Sequence, residues 1–544
     1  MRPRLLTALA AGALTLSLLG PTGAQADDPD VSAPTPPDTT TAEEATEVLE
    51  EAEELFEERP PAEAQELLAD GGLDATMVLN ELLRARPDLS AQQRRRADAL
   101  LARPTDGASD PFGDGYRRRE AKPVCGGAIC VHYVRRTADA PPRRDSDGDG
   151  IRDAVEQTLQ ITRAVHSTFV NSGYRRPDSD GRRGGRRGKV DVYLANIDED
   201  GYYGYCASDQ RQAPSGTSNR WAYCVVDDDY ARFATPEITA LENRKVTLAH
   251  EYFHAVQYAY DAFEDGWFME ATAAWVEDEI YDSVDDNRQY LLAGQLGSPR
   301  VALDRFDTFG GDGYGHYGNW IWFRYLTERW PQELGTLPRF VLEAWRGASG
   351  RRGAANLYST QAINAALNDR ETNFTEAFGD FAAVNRDPAL NYEEGGAYEA
   401  DPPFPIPAAR IRTHPISATS EPVGDAVTVD HLASGTVGFV PVELAEPGWT
   451  LTVSATLPPA TAQSVRLLVH QADGTVTTAE LQPTGEEVSA TVPFSTDDVS
   501  DVELVVVNAN RQMTCWKNRP YACSGIPRGD DLVTNYSTSL QPPV

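Results

Sequence analysis

The chain has 544 residues and carries 83 acidic against 49 basic side chains, which gives a formal net charge of −34. This balance argues against a nucleic-acid partner, because the phosphate backbone needs a basic face, and it favours solubility. The length is enough for roughly two to four domains.

The first 26 residues predict a secretory signal peptide. Met1-Arg2-Pro3-Arg4 is basic, the run from Leu5 to Leu19 is apolar, and Ala24-Gln25-Ala26 is a small-residue cleavage site. This run is too short for a membrane span, and no later stretch is long and apolar enough to be one. We therefore expect a secreted, extracellular protein.

Residues 27–110 form an acidic N-terminal region. Residues 27–58 lack Lys and Arg, and the segment from Leu67 to Leu101 has helical periodicity. One interpretation is a solvated acidic linker followed by a small helical hairpin. The other is a propeptide that covers a catalytic cleft, as secreted proteases often carry.

The six cysteines predict three disulfides, because exported chains fold in an oxidising compartment. Spacing favours the local pairs among the many that six cysteines allow. These pairs are Cys125–Cys130, Cys206–Cys224 and Cys515–Cys523.

The segment Asp145–Glu156 predicts a calcium loop. Oxygen ligands recur at the spacing of an EF-hand loop, and Gly150 stands at its sixth position, where the chain turns sharply. The alternative is an acidic surface turn. Because a Pro- and Arg-rich segment precedes the loop, we expect a lone structural calcium site and not a sensor. The predicted ligands are Asp145, Asp147, Asp149, the Ile151 carbonyl, Asp153 and Glu156.

A helix over 154–170 and a strand over Lys189–Asn196 are expected next. The strand alternates apolar and polar residues. It is either an edge strand that pairs with a peptide substrate or an interior strand of the same sheet.

The stretch His250-Glu251-Tyr252-Phe253-His254 is an H-E-x-x-H motif. On a helix, His250 and His254 share one face and can hold one Zn²⁺, while Glu251 can reach a water on that metal. Thr235 and Pro236 are expected to begin this helix as N-cap and first residue.

A second helix is expected over 266–277. Zinc held by two His takes a third protein ligand and keeps one position open. Glu270 is our candidate for that ligand. Glu277 lies seven residues later on the same face and is the alternative.

An H-E-x-x-H helix followed by a Glu on the next helix resembles the gluzincin metallopeptidases, although the linker here is a few residues shorter. The extended pattern H-E-x-F-H-x-x-Q and W-F-M-E-x-x-A-x-W-x-E, after the calcium loop and a Val-Tyr strand, resembles a bacterial family of secreted metalloproteases. The resemblance covers roughly residues 125–400. It implies a zinc peptidase and gives no substrate.

A Gly-rich turn, Gly313–Gly318, precedes an aromatic helix expected over 319–330. Zinc peptidases need a donor for the oxyanion of the tetrahedral intermediate, often Tyr or His. Tyr314, His316 and Tyr317 are candidates for that catalytic role. The alternative is that these aromatic side chains only pack in the turn.

After a Pro-rich linker at 402–407, residues 408–544 become rich in Val and Thr, with short alternating runs. This pattern predicts a β-sandwich, in which we find no catalytic set.

The sequence thus predicts an α/β (α+β) zincin-like catalytic domain over 111–407 and a C-terminal β-sandwich domain over 408–544. We expect a monomeric, secreted metallopeptidase that uses Zn²⁺ and Ca²⁺ and acts on a peptide or protein substrate. A zinc hydrolase of non-peptide amides or esters is one alternative. A non-catalytic, calcium-stabilised surface-binding protein on a degenerate peptidase fold is the other.

Overall fold

The computed structural model describes residues 41–55, 74–104, 116–185, 187–198, 201–307, 313–400, 412–457 and 462–543. The predicted signal peptide and the Pro-rich linker lie outside the described residues. The described chain is a mixed α/β structure with several sheets.

A five-stranded sheet is the centre of the first part of the fold. Its strands are β1 (Val124–Gly126), β2 (Ile129–His132), β3 (Val190–Ala195), β4 (Gly204–Ala207) and β5 (Tyr223–Asp227). The order is β1-β2-β3-β5-β4, with β2, β3 and β5 parallel and the two outer strands antiparallel to their neighbours. Strand β3 is therefore interior and buried throughout, so its alternative assignment as an edge strand is wrong. Among the described residues, β4 is an edge strand of this sheet and pairs only with β5.

Three N-terminal helices cover one face of this sheet. They are α1 (Ala42–Leu55), α2 (Ala75–Ala85) and α3 (Ala91–Leu100). Their apolar side chains share one core cluster with Tyr193, Tyr205 and Tyr223 of the sheet. The predicted helical hairpin is present as α2 and α3, and it packs directly on the sheet.

The opposite sheet face packs against α4 (Asp153–Asn171) and α5 (Ala240–Tyr258), because successive strand residues point to opposite faces. Helices α5 and α6 (Gly266–Tyr281) are buried along most of their length. The helices are α4 (Asp153–Asn171), α5 (Ala240–Tyr258), α6 (Gly266–Tyr281), α7 (Gly315–Gly318), α8 (Trp320–Arg329), α9 (Arg339–Gly347), α10 (Thr360–Asn368), α11 (Phe374–Val384), α12 (Pro388–Asn391) and α13 (Gly395–Ala400), with a small hairpin of β6 (Glu333–Leu334) and β7 (Leu337–Pro338).

The C-terminal part contains two five-stranded sheets that enclose a common apolar core. The first has the order β13-β12-β16-β10-β8 and the second the order β14-β15-β11-β19-β9. Leu432, Leu468 and Val505 also belong to the core of the helical part, so the two parts share apolar contacts. The strands are β8 (Arg412–Ile416), β9 (Gly424–Val429), β10 (Ala433–Pro441), β11 (Thr450–Thr456), β12 (Gln463–Gln471), β13 (Val476–Ala479), β14 (Gln482–Thr484), β15 (Glu487–Pro493), β16 (Val499–Asn508) and β19 (Leu532–Gln541), with a separate pair of β17 (Met513–Thr514) and β18 (Ile526–Pro527).

The start of α5 differs from the prediction. Thr235 accepts backbone N–H groups of Glu237 and Ile238 and so closes a turn before the helix. The helix begins at Ala240, where Thr239 and Glu242 form a reciprocal capping box. That box satisfies two N–H groups at the helix end, whereas the two groups that Thr235 accepts belong to the turn before the helix.

The three predicted disulfides, Cys125–Cys130, Cys206–Cys224 and Cys515–Cys523, are confirmed. Disulfides of this kind are typical of oxidising compartments. Within the described ranges, we find no helix with both the length and the apolar character needed to cross a bilayer.

Candidate metal centre

Helix α5 places His250 and His254 one turn apart, with ring centroids separated by 4.8 Å. Helix α6 packs against α5 and places Glu270 opposite both rings. Ala271, Ala273 and Ala274 of α6 are small and fully buried, which favours close packing of this helix.

The distances among these three side chains suit a small cation. Oε2 of Glu270 lies 3.1 Å from Nε2 of His250, and Oε1 lies 3.3 Å from Nε2 of His254. One ligand atom from each residue lies within 4.8 Å of the other two. Zinc bonds of about 2.0–2.1 Å in a tetrahedron put ligand atoms about 3.3–3.4 Å apart, so the spacing is close to that requirement.

The strongest indication of a metal site is a pair of buried polar atoms that form no hydrogen bond with another described residue. Nε2 of His254 and Oε1 of Glu270 face each other, both side chains are buried, and neither atom has a hydrogen-bond partner within the described part of the chain. Leaving such an atom unsatisfied costs about 1–3 kcal/mol. Two imidazoles and a carboxylate are ligands that catalytic zinc takes, so the donor set fits this metal.

Outer partners orient both imidazoles. Nδ1 of His250 lies 2.7 Å from Oε1 of Glu277, and Nδ1 of His254 lies 2.8 Å from Oε1 of Gln257. Gln257 donates its amide N–H to the Met269 carbonyl, so its oxygen faces His254 and accepts from Nδ1. Gln257 therefore holds the Nδ1 side of His254, and Nε2 faces Glu270 as the ring atom that can bind a metal.

These contacts distinguish Glu270 from Glu277 as candidates for the third metal ligand. Glu270 lies beside the inward nitrogen of each His, whereas Glu277 lies on the outer nitrogen of His250 alone. Burial acts to raise the pKa of Glu270, but His254 and His250 outweigh it and hold the pKa well below its usual range. An ionised carboxylate is the form that a cation binds.

Glu251 lies beside this cluster, buried, with its Oε2 unpartnered among the described residues. Burial raises its pKa to about 7, against the opposing effect of the two His. A base with a pKa near the working pH is well matched to proton transfer.

A cavity of about 300 Å³ opens beside His250 and Glu251. Two of the three predicted oxyanion donors, Tyr314 and Tyr317, line this cavity. The third, His316, is buried and turns its ring edge-on to Phe306, with the centroids 4.8 Å apart. The hydroxyl of Tyr317 donates to Oδ2 of Asp74 at 2.8 Å.

The edge strand β4 lies directly against Glu251. A Cβ added at Gly204 would lie 2.8 Å from Cγ of Glu251, so the approach requires glycine. The Cys206–Cys224 disulfide joins β4 to β5, and its Cys206 sulfur lies 2.9 Å from the Glu251 carbonyl oxygen. The disulfide and the glycine together hold strand β4 close to helix α5.

Sequence reasoning missed four residues of this region: Asp74, Tyr203, Gln257 and Asp286. Gln257 follows His254 by three positions on one helix, and that spacing was a usable signal. The other three line the cavity from distant parts of the chain, for which sequence spacing gives no signal.

The predicted calcium loop is only partly assembled. Carboxylate oxygens of Asp145, Asp147 and Asp149 lie within 4.8 Å of one another, and Gly150 adopts a φ of +90°. Asp153 instead accepts hydrogen bonds from the backbone and hydroxyl of Ser146. Ile151 donates its N–H to Asp149, and burial and the surrounding Asp carboxylates raise the pKa of Glu156.

No protein-family model and no curated protein matches this chain. Three solved structures show a partial likeness that covers 24% of this chain in each case. The pre-peptidase C-terminal domain of a collagenase from Bacillus anthracis is 10% identical with a TM-score of 0.15 over 98% of its length. PliG, a periplasmic inhibitor of g-type lysozyme from Aeromonas hydrophila, is 12% identical with a TM-score of 0.14 over 100% of its length. CorA, a surface-associated copper-binding protein of Methylomicrobium album BG8, is 9% identical with a TM-score of 0.14 over 98% of its length. Scores this low carry no argument about this chain.

Proposed function

We propose that the protein is a secreted zinc-dependent peptidase. The observation that supports it most is the pair of buried atoms on His254 and Glu270 that lie 3.3 Å apart beside His250 and form no hydrogen bond in the part of the chain that the structure describes. A metal site is also favoured by the ionised Glu270 and the oriented imidazoles. The adjoining cavity favours a metal with one open coordination position.

His250, His254 and Glu270 would hold the zinc, which supplies a Lewis acid that acidifies water and polarises a carbonyl. Glu251 takes the proton of the attacking water and passes it to the leaving nitrogen. Glu277 and Gln257 keep the two imidazoles in position. Tyr314 and Tyr317, which line this cavity, are our candidates for the hydroxyl donors to the developing oxyanion.

The edge strand β4 supports a peptide as the substrate. Cys206 faces Cys224 with a Cα–Cα distance of 4.1 Å, which is typical of a non-hydrogen-bonded antiparallel pair. The N–H and C=O groups of Cys206 therefore point away from β5, toward the open side of the sheet. An extended peptide can add to such an edge beside Glu251.

Secretion is proposed from the predicted signal peptide together with the three disulfides. The direct test of the function is metal analysis of the purified protein alongside cleavage of unfolded casein. Stoichiometric zinc with casein cleavage supports the peptidase. Zinc with hydrolysis of small amides or esters alone would indicate the non-peptide hydrolase, and absence of zinc would favour a binding protein.

Glu270 and Glu277 are expected to differ in their effect on metal content. Glu270→Gln removes the charge of the carboxylate whose two oxygens face the two His, and it should abolish zinc retention during dialysis against a competing chelator. Glu277→Gln removes an orienting partner and should weaken zinc binding by about 10–100-fold. The two variants control for each other, since both make the same change on α6. Equal zinc loss, or greater loss from Glu277→Gln, would contradict the assignment of Glu270.

We also propose that the loop with Asp145, Asp147 and Asp149 binds a structural Ca²⁺. Chelating calcium while zinc stays saturating should lower the melting temperature, because a ligand at 100 times its Kd stabilises the fold by about 2.7 kcal/mol. Asp147→Asn should remove the difference between calcium and chelator, whereas the exposed Asp497→Asn should retain it. Identical wild-type melting curves with and without calcium would rule out the calcium site.

A further inference from the structure

The N-terminal segment Asp74–Thr76 lies at the proposed active site. Asp74, Ala75 and Thr76 line the same cavity as His250 and Glu251. These residues precede and begin α2, which belongs to the helical layer on the other face of the sheet. The segment therefore lies at the edge strand β4, where the cavity and the helical layer meet.

Thr76 accepts a hydrogen bond from a backbone N–H of the edge strand β4. The N–H of Cys206 donates to Oγ1 of Thr76 at 3.0 Å, and this bond is buried. That N–H points outward from β4, so it is one of the groups with which an added peptide strand would pair. With Thr76 in place, this donor is already used.

Asp74 occupies the catalytic side of the cavity. Its Oδ1 accepts the backbone N–H of Met77 at 3.0 Å, and its Oδ2 accepts the hydroxyl of Tyr317 at 2.8 Å. The carboxyl is also close enough to Glu270 and His254 for their charges to act on it. Asp74 thus places a carboxylate beside the metal centre and engages one of the two proposed oxyanion donors.

The segment is held firmly in this position. Val78, Leu79 and Leu82 of α2 are almost fully buried in the core that joins this layer to the sheet. The amide of Asn80 donates to the carbonyl of Ala262, in the loop between α5 and α6. These contacts fix α2, and with it the segment Asp74–Thr76 at its start, in the fold.

We propose that Asp74–Thr76 is an inhibitory segment that occupies the place of the substrate, with Thr76 on the edge strand and Asp74 on the catalytic hydroxyl. This inference rests on the proposed peptidase function. Substrate binding then requires displacement of the segment, so the described protein is in a latent state.

The test uses full-length, zinc-loaded protein and two variants. Asp74→Ser keeps an N-cap for α2 but is too short to reach Tyr317, and Thr76→Val keeps the size of the side chain but loses its hydroxyl oxygen. Each variant is compared with wild type for binding of a peptide hydroxamate by calorimetry and for cleavage of unfolded casein. Ser90→Ala, which removes the N-cap of α3 away from the cavity, is the control for general loosening of the layer.

Asp74→Ser is expected to tighten hydroxamate binding and to speed casein cleavage by at least about tenfold. The reason is that fewer molecules then have Asp74–Thr76 in the cavity, and molecules in that closed state do not bind substrate. Thr76→Val should act in the same direction, and Ser90→Ala should match wild type. Zinc-loaded variants that bind and cleave no better than wild type would overturn the inhibitory role and leave the peptidase proposal standing. Failure of wild type and both variants to bind zinc would overturn the peptidase proposal, and the inhibitory role with it.

Discussion

Glu251→Gln is expected to lower the rate of peptide hydrolysis by about 10²–10⁴-fold while zinc stays bound. The substitution keeps the size of the side chain and removes the carboxylate that takes the proton from water. Because Glu251 is not among the three proposed zinc ligands, metal content and melting temperature should stay near those of wild type. The measurement is the steady-state rate on one peptide substrate at matched zinc occupancy.

Glu242→Gln is the matched control for this change. Glu242 lies on the same helix, in its exposed capping box, and a glutamine there can still close the box. If the wild-type rate is too low to measure, the same comparison can be made with Asp74→Ser in both proteins. Equal rates for Glu251→Gln and Glu242→Gln would show that the base lies elsewhere.

Arg103→Met is expected to lower the free energy of unfolding by about 3–5 kcal/mol. The guanidinium of Arg103 is buried and lies 2.8 Å from Asp180, 2.8 Å from Asp191 and 3.1 Å from Asp209. Its removal leaves three carboxylates without their shared cation. The measurement is the shift of the urea unfolding midpoint, followed by tryptophan fluorescence.

The loss of unfolding free energy caused by Arg103→Met should also depend on pH. Burial acts to raise the pKa of Asp209, but Arg103, Trp221 and Arg183 outweigh it and lower the pKa. A lowered carboxyl pKa adds stability above the unfolded value of about 3.9, and this contribution is lost as the pH falls through the folded-state pKa. The difference between wild type and Arg103→Met should therefore be fully present at pH 8 and should decrease as the pH falls below about 4.

Arg96→Met provides the comparison for a surface pair. Arg96 binds Glu53 on the same N-terminal layer, but its side chain is 43% exposed. An exposed pair of this kind contributes about 0–1 kcal/mol. If Arg103→Met cost no more than Arg96→Met, the buried cluster would not be what ties the N-terminal layer to the sheet.

The local features of this protein could be predicted from the sequence because they depend on neighbours in the chain. The four-residue step of His250 and His254 fixes their common helix face wherever the helix lies. The disulfide partners lie 5, 18 and 8 residues apart, so short loops bring them together. The start of α5 was predicted wrongly because both Thr235 and Thr239 are suitable N-cap residues. Thr239 is the N-cap because it forms a reciprocal capping box with Glu242.

Tertiary packing decided what the spacing left open. Glu270 and Glu277 share one face of α6, and only the rotation of that helix against α5 puts Glu270 between the two inward nitrogens and Glu277 on the outer one. Likewise, the sequence predicts β3 as a strand but leaves its place in the sheet open, and only the sheet order makes β3 interior and β4 the edge beside Glu251.

The sequence by itself therefore determined the donor types, their helical spacing and the disulfide pairs, all of which follow from covalent proximity and helix geometry. Only the tertiary structure showed that Asp74, 176 residues before His250 in the numbering, lines the same cavity. Contacts at that separation depend on how helices and sheet pack around a common core, and no periodicity in the chain records them. The cavity at the centre and the segment within it are thus properties of the fold.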